Sequence, residues 1–181
     1  MDELSHLVTL FENNRNPENA VPMQQYMKNH FPFLGIKTPL RRQLTRDFYK
    51  ETGLLKQELN LELVTDLWMK DEREYHYAAQ DYLVKSHKKI NSSHLPFIKN
   101  LITTKSWWDT VDILAPHIVG KIAKETPSII NAKIDGWAFG EHLWLIRSSI
   151  LFQLKYKEQT NEAILYKYIK ANADSNEFFI Q

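Results

Sequence analysis

The stretch Thr103–His117, TTKSWWDTVDILAPH, sets two tryptophans side by side with an aspartate directly after them and another three residues later. On a helix of about 100° per residue, Trp107, Val111, Leu114 and Ile118 fall on one stripe, which reads as the core face. Trp108 and Asp112, four residues apart, share a second face bordering it, continued by Ala115 and Val119. A carboxylate at the rim of an aromatic wall works in surroundings that exclude water, which strengthens its field. It can stabilise a developing cation or orient a water. The plainer reading of Asp112 is a half-buried acid satisfied by backbone or by an arginine. Asp109 points elsewhere. Pro116 cannot donate to the carbonyl of Asp112, so a kink or break is expected near Ala115, beyond the Trp108–Asp112 turn.

A second constellation lies in HLWLIRSSILFQLKYK, residues 142–157. Leu143, Ile150, Leu151 and Leu154 form an apolar stripe, and Arg147 falls inside it. An arginine so placed must be paired or face a polar cleft. Its natural partner is Asp112, either as a structural bridge or as part of a site. A third constellation is NHFPFLGIKTPLRRQL, residues 29–44. Thr38-Pro39 reads as an N-cap and first helical position, with Lys37, Arg41 and Arg42 clustered at the positive end. Such an end is suited to an anion, phosphate above all, or is simply a solvated basic turn. Further basic groups are Lys85, Lys88, Lys89, Lys99, Lys105, Lys121 and Lys124, while acids collect in KDEREY and NLEL. That segregation permits one basic face on a chain of net charge +1.

These residues must be carried by helices. Apolar residues recur at helical spacing (Leu4, Leu7, Leu10, Phe11; Leu63, Leu67, Trp68; Ile164, Leu165, Tyr168), and period-2 alternation is nearly absent. Start signals at Thr38, Ser106, Thr126 and Asn161 support ten to twelve short helices and no sheet. A weak repeat aligns Tyr75, Trp107, Leu143 and Phe178 at steps of 32, 36 and 35 residues by subtraction. Periods of this size with two helices each mark an α-solenoid, whose concave face is the usual binding surface. An irregular helical bundle is the alternative. The fold expected is therefore all-α, one domain over 1–181, with its last repeat, from NEFFIQ, incomplete. The 181 residues hold no cysteine, which excludes disulfide scaffolds, thiolate nucleophiles and cysteine-ligated zinc. The seven histidines show no paired ligand spacing, so no metal site is expected. No apolar run is long enough to cross a bilayer, and the acidic, amphipathic N-terminus is not a signal peptide. The absence of cysteine fits a cytoplasmic protein.

Taken together, FPFLGIKTPLRR, EREYHYAAQDYL, TTKSWWDTVD, LWLIRSSILFQLKYKE and ADSNEFFI, in that order, resemble the bacterial HEAT-like-repeat DNA alkylation-repair family, the alkylpurine DNA glycosylases. The resemblance spans about Tyr26 to Ile180. It implies an α-solenoid whose concave basic cleft holds duplex DNA. It also implies hydrolysis of the N-glycosidic bond of cationic N3- or N7-alkylpurines without metal, cofactor or base flipping. By motif position the family's cleft aspartate maps to Asp112, an aromatic wall to Trp108, the cleft arginine to Arg147 and a DNA-facing tyrosine to Tyr26. Lys37, Arg41, Arg42 and Lys105 are then candidate DNA contacts, and the expected working form is a monomer in the bacterial cytoplasm. The family's chain continues into a helix with another cleft tryptophan, and it often has a second arginine where Ile146 stands here. A non-catalytic HEAT-like module binding nucleic acid or protein is the alternative function.

Overall fold

Helical spacing becomes eleven α-helices, with no strand, among the residues described (2–181) by the computed structural model. No helix among these residues is long and apolar enough to cross a membrane. The chain divides into two compact units, Met1–Ser86 and His87–Gln181, where the sequence reads as a single domain.

The first unit holds α1 (Glu3–Glu12), α2 (Pro17–Tyr26), α3 (Thr38–Thr52), α4 (Leu61–Met69) and α5 (Arg73–Lys85). Side-chain caps start three of them. Asp2 accepts from the amide of Ser5, Asn16 from Asn19 and Asn60 from Leu63. Of the apolar residues at helical spacing, Leu7 and Phe11 of α1 and Leu63, Leu67 and Trp68 of α4 are buried, with Val64 beside them, while Leu4 and Leu10 are half-buried. Helix α4 packs along α5, and α1 packs on α3 and α4. The start of α3 differs slightly from its sequence reading. Lys37 is the N-cap, without a side-chain cap bond, and Thr38-Pro39 already belongs to the helix.

The segment between α2 and α3 is held by a group that sequence patterning treats as surface acid. Glu74 is fully buried and accepts from the amides of Leu34, Gly35 and Ile36 at 2.9, 2.9 and 3.0 Å. Burial holds its carboxyl above the usual range, and the three N–H donors oppose that rise in part. Gly35 sits at φ +86°, and a Cβ there would lie 1.9 Å from the Asn16 carbonyl oxygen, so only glycine fits. Beside Glu74, Arg73 is also buried, with its guanidinium 3.8 Å above the Phe31 ring. Its Nη1 lies 3.0 Å from Nδ1 of buried His76. Within the KDEREY run, then, Arg73 and Glu74 are buried, while Asp71 is exposed and Lys70 and Glu72 are half-buried.

The second unit holds α6 (Leu95–Thr103), α7 (Trp108–Leu114), α8 (Gly120–Glu125), α9 (Asp135–Ala138), α10 (Leu143–Leu151) and α11 (Glu162–Ala171). Helix α10 is its centre and touches α6, α7, α9 and α11. Between α7 and α8 the chain stays helical but widens into a π-type turn, Ala115–Val119, where Gly120 donates to the Ala115 carbonyl. This is the interruption expected from Pro116, and it takes the form of a bulge rather than a break. Ser106 does not cap α7 as its position suggested; its hydroxyl donates to the Ile102 carbonyl and closes α6. Asn161 does cap α11, accepting from the amide of Ile164. The stripe assigned to α10 is also corrected. Trp144, Leu145, Ile146, Ser148 and Phe152 are buried, whereas Leu143, Ile150 and Leu151 are half-buried and Leu154 is exposed. Arg147 therefore lies on the outer face of α10, among side chains that keep some contact with water.

Candidate functional site

The backbone leaves α6 through Thr104 and enters α7 abruptly. Lys105 takes a left-handed φ of +50°, uncommon for a residue with a Cβ. Trp107 follows in an extended conformation as the N-cap of α7, so Trp108 is the first helical residue. That corrects the helical stripe drawn through Trp107. Val111, Leu114 and Ile118 do form a buried face, but the Trp107 indole is half-buried and packs on aromatic partners instead. Its ring centroid lies 5.7 Å from Trp144 and 4.9 Å from Phe179, and Phe179 lies 5.1 Å from Trp144. Tilted and edge-on aromatic pairs at these spacings stabilise one another beyond their area burial.

Asp112 stands one turn beyond Trp108 on α7, and both are half-buried. Arg147 reaches it from α10. Nε donates to one Asp112 carboxylate oxygen and Nη2 to the other, each at 2.7 Å. This is a two-pronged pair, the geometry in which arginine binds a carboxylate most strongly. The Asp112 and Arg147 side chains keep 31% and 22% of their surface exposed, so the pair is neither sealed nor free in solvent. Arg147 Nη1 makes a third bond, at 2.6 Å, to the backbone carbonyl of Phe179. The structure thus joins Asp112, on the helix whose first residue is Trp108, to Arg147, 35 residues away on α10.

The remaining sequence candidates are placed as follows. Tyr26 ends α2 with 70% of its surface exposed. Lys37 and Arg42 are exposed at the start of α3, whose N-terminal amides carry no side-chain cap. Arg41 does not join them at the surface. It is 5% exposed, its guanidinium 4.7 Å from the Tyr77 ring centroid and its Nη1 3.4 Å from Asp81. Burial pushes Asp81 up and draws Arg41 down, and the charge of each opposes the shift of the other. Arg41 is therefore a strut of the α3–α5 contact, and the sequence reading of it as a DNA contact is corrected. Lys105 is half-buried beside the tryptophans.

Sequence reasoning overlooked two residues. Glu74 lies 38 to 40 positions from the amides it binds, and backbone N–H groups leave no trace in residue type. Phe179, in the last repeat that the sequence shows as incomplete, is half-buried against Trp107, Trp144 and Arg147. The aromatic pair in NEFFIQ was the one available signal.

A predicted DNA alkylation repair enzyme from Enterococcus faecalis is similar in structure, with a TM-score of 0.82 and 29% identity over 92% of this chain and 78% of that one. None of the curated proteins compared with the chain matches it. The family model described as DNA alkylation repair enzyme matches residues 7–181, which includes every candidate residue named above. The chain belongs to the DNA alkylation repair enzyme family.

Proposed function

We propose that the protein is a DNA glycosylase that hydrolyses the N-glycosidic bond of cationic N3- and N7-alkylpurines in duplex DNA. The observation that carries this reading is the half-exposed Asp112 carboxylate, gripped on both oxygens by Arg147 and one helical turn from Trp108. Alkylation at N3 or N7 already makes the purine a good leaving group, so no strong general acid is required and no metal or cofactor enters the scheme. The glycosidic C1′–N bond breaks and its electrons leave with the base, which departs neutral. The sugar becomes oxocarbenium-like, and the Asp112 carboxylate stabilises that charge as carboxylates do in glycoside cleavage. Water then adds to C1′ and releases a proton to solvent. The Trp108 indole face offers a surface attractive to both the cationic lesion and the cationic sugar, and the lesion is handled without being flipped into a pocket. Arg147 fixes the direction of the carboxylate, and its remaining N–H groups suit a backbone phosphate. Tyr26, Lys37, Arg42 and Lys105 are proposed as duplex contacts, and the protein as a cytoplasmic monomer.

A second reading draws on the same bridge. Two-pronged Arg–carboxylate pairs also serve structure alone, and a non-catalytic DNA-binding helical module would show one. Base release separates the two. The glycosylase frees methylated purine from alkylated duplex DNA, and Asp112→Asn loses that release while still binding DNA. Binding without release by the unaltered chain would favour the module.

A further inference from the structure

We infer that Phe179 is a positioning residue for the Arg147–Asp112 pair. This deepens the glycosylase reading and rests on it only where activity is measured. The turn formed by residues 177–181 comes back over the start of α7 and α10. The backbone N–H groups of Ile180 and Gln181 donate to the Glu177 carbonyl, and the Gln181 side-chain amide donates to the Ser175 carbonyl. Within this turn Phe179 contacts the pair in two ways. Its carbonyl accepts from Arg147 Nη1 at 2.6 Å, and its ring centroid lies 5.7 Å from the Arg147 guanidinium carbon. The ring is in turn wedged against Trp107 and Trp144, centroids at 4.9 and 5.1 Å.

The geometry has a mechanical consequence. Two donors of Arg147 are committed to Asp112, which fixes one edge of the planar guanidinium. A third donor, pinned on the backbone of Phe179, removes the remaining freedom to swing about that edge. Lysine could not be held in this way, because it lacks the fixed fork. Residue 179 is anchored by its ring in the aromatic trio, so the side chain decides where the carbonyl stands. The turn thus converts aromatic packing into the orientation of a carboxylate that it reaches through Arg147. Rigid support of this kind is what holds a reacting group within the fraction of an ångström that chemistry demands.

The test uses the 181-residue chain with Phe179→Gly and Phe179→Tyr, the second keeping an aromatic anchor. The first readout is the Arg147 Nε–H resonance in 15N NMR, assigned through its loss in Arg147→Lys. In the unaltered protein it is expected as a sharp, slowly exchanging signal. Phe179→Gly is expected to broaden or shift it, and Phe179→Tyr to restore it. The second readout is release of 7-methylguanine from methylated duplex DNA. For Phe179→Gly, kcat is expected to fall roughly 10- to 100-fold, the scale of a misplaced reacting group, with KM within about twofold. An unchanged Arg147 signal in Phe179→Gly overturns the proposal. So does a Phe179→Tyr protein that behaves like Phe179→Gly, or a loss confined to KM. If no base is released even by the unaltered chain, the NMR series still decides the positioning role, and the glycosylase reading alone falls. Should Phe179→Gly not fold, Phe179→Leu, which keeps apolar packing without an aromatic edge, is read by the same two measurements.

Discussion

The two units of the molecule use a carboxylate in opposite ways. In the first, Glu74 is withdrawn from water entirely and spends both oxygens on three consecutive backbone amides. In the second, Asp112 keeps nearly a third of its side-chain surface exposed and spends its oxygens on a guanidinium. Fixed backbone dipoles leave Glu74 no capacity for anything but holding the Leu34–Ile36 segment in place. A guanidinium orients Asp112 yet leaves it reachable from outside. The same functional group is thus a bolt in one unit and, on the proposed reading, a tool in the other, with exposure and partner type separating the two.

The sharpest way to break that contrast is Glu74→Ala. It strands three buried N–H groups, each costing about 1–3 kcal/mol, and opens a void. A stability loss of about 3–5 kcal/mol is expected, comparable to breaking a buried charge pair. Urea unfolding followed by circular dichroism measures it. A loss under about 1 kcal/mol would show that the loop holds without its anion. Glu74→Gln retains one acceptor oxygen and should fall between the two proteins.

Asp112→Asn should give the complementary pattern. Removing one preorganised electrostatic group costs about 10²–10³ in rate, while a half-exposed pair contributes no more than about 1 kcal/mol to stability. Single-turnover base release and urea unfolding, run on the same preparation, test both halves. If Asp112→Asn destabilised the protein as much as Glu74→Ala does, Asp112 would be a second bolt and the contrast would vanish. Arg147→Lys tests the grip itself. Lysine keeps the charge but loses the two-pronged fork, and a roughly tenfold fall in base release is expected, the equivalent of about 1.4 kcal/mol.

The contrast was half visible in the sequence, for physical reasons. Trp108 and Asp112 are one turn apart, and helical periodicity makes such neighbours legible without coordinates. Arg147 stood inside an apolar stripe, and its need for an anion pointed to Asp112; the structure joins the two. The stripe itself was misread because α10 is packed by four other helices, so burial around it is too broad for one amphipathic face to stand out. Glu74 was hidden altogether. A run such as KDEREY reads as solvated charge, and the amides that neutralise Glu74 belong to apolar residues whose side chains say nothing about their N–H groups. Arg41 was misassigned for a related reason. Clustering with Lys37 and Arg42 in sequence does not place three side chains on one face of a helix, and position 41 turns inward to Asp81 and Tyr77.

The smallest expected effect concerns His117, in the π-type turn just beyond Asp112. Burial first, and the nearby Lys155 charge second, hold its imidazole below the usual 6.5. The unfolded chain, lacking both, takes up a proton as pH falls past about 6.5, before the folded protein does. Wherever the unfolded state binds more protons, stability rises with pH. His117 therefore contributes stability that is fully present above about pH 6.5 and is lost as pH falls through its lower folded value. The depressed carboxyls of Glu12, held by Arg15, and Asp135, held by Tyr168 and Lys167, add losses of the same sign at more acidic pH. The two windows separate because carboxylates titrate about two units lower than histidine. Urea midpoints taken from about pH 7.5 to about pH 5.5 should fall in the unaltered protein and fall less in His117→Asn. Equal slopes in the two proteins would mean that His117 takes up its proton as readily in the folded chain as in the unfolded one. The turn beyond Asp112 would then be more open to water than the packing of α7, α8 and α10 implies.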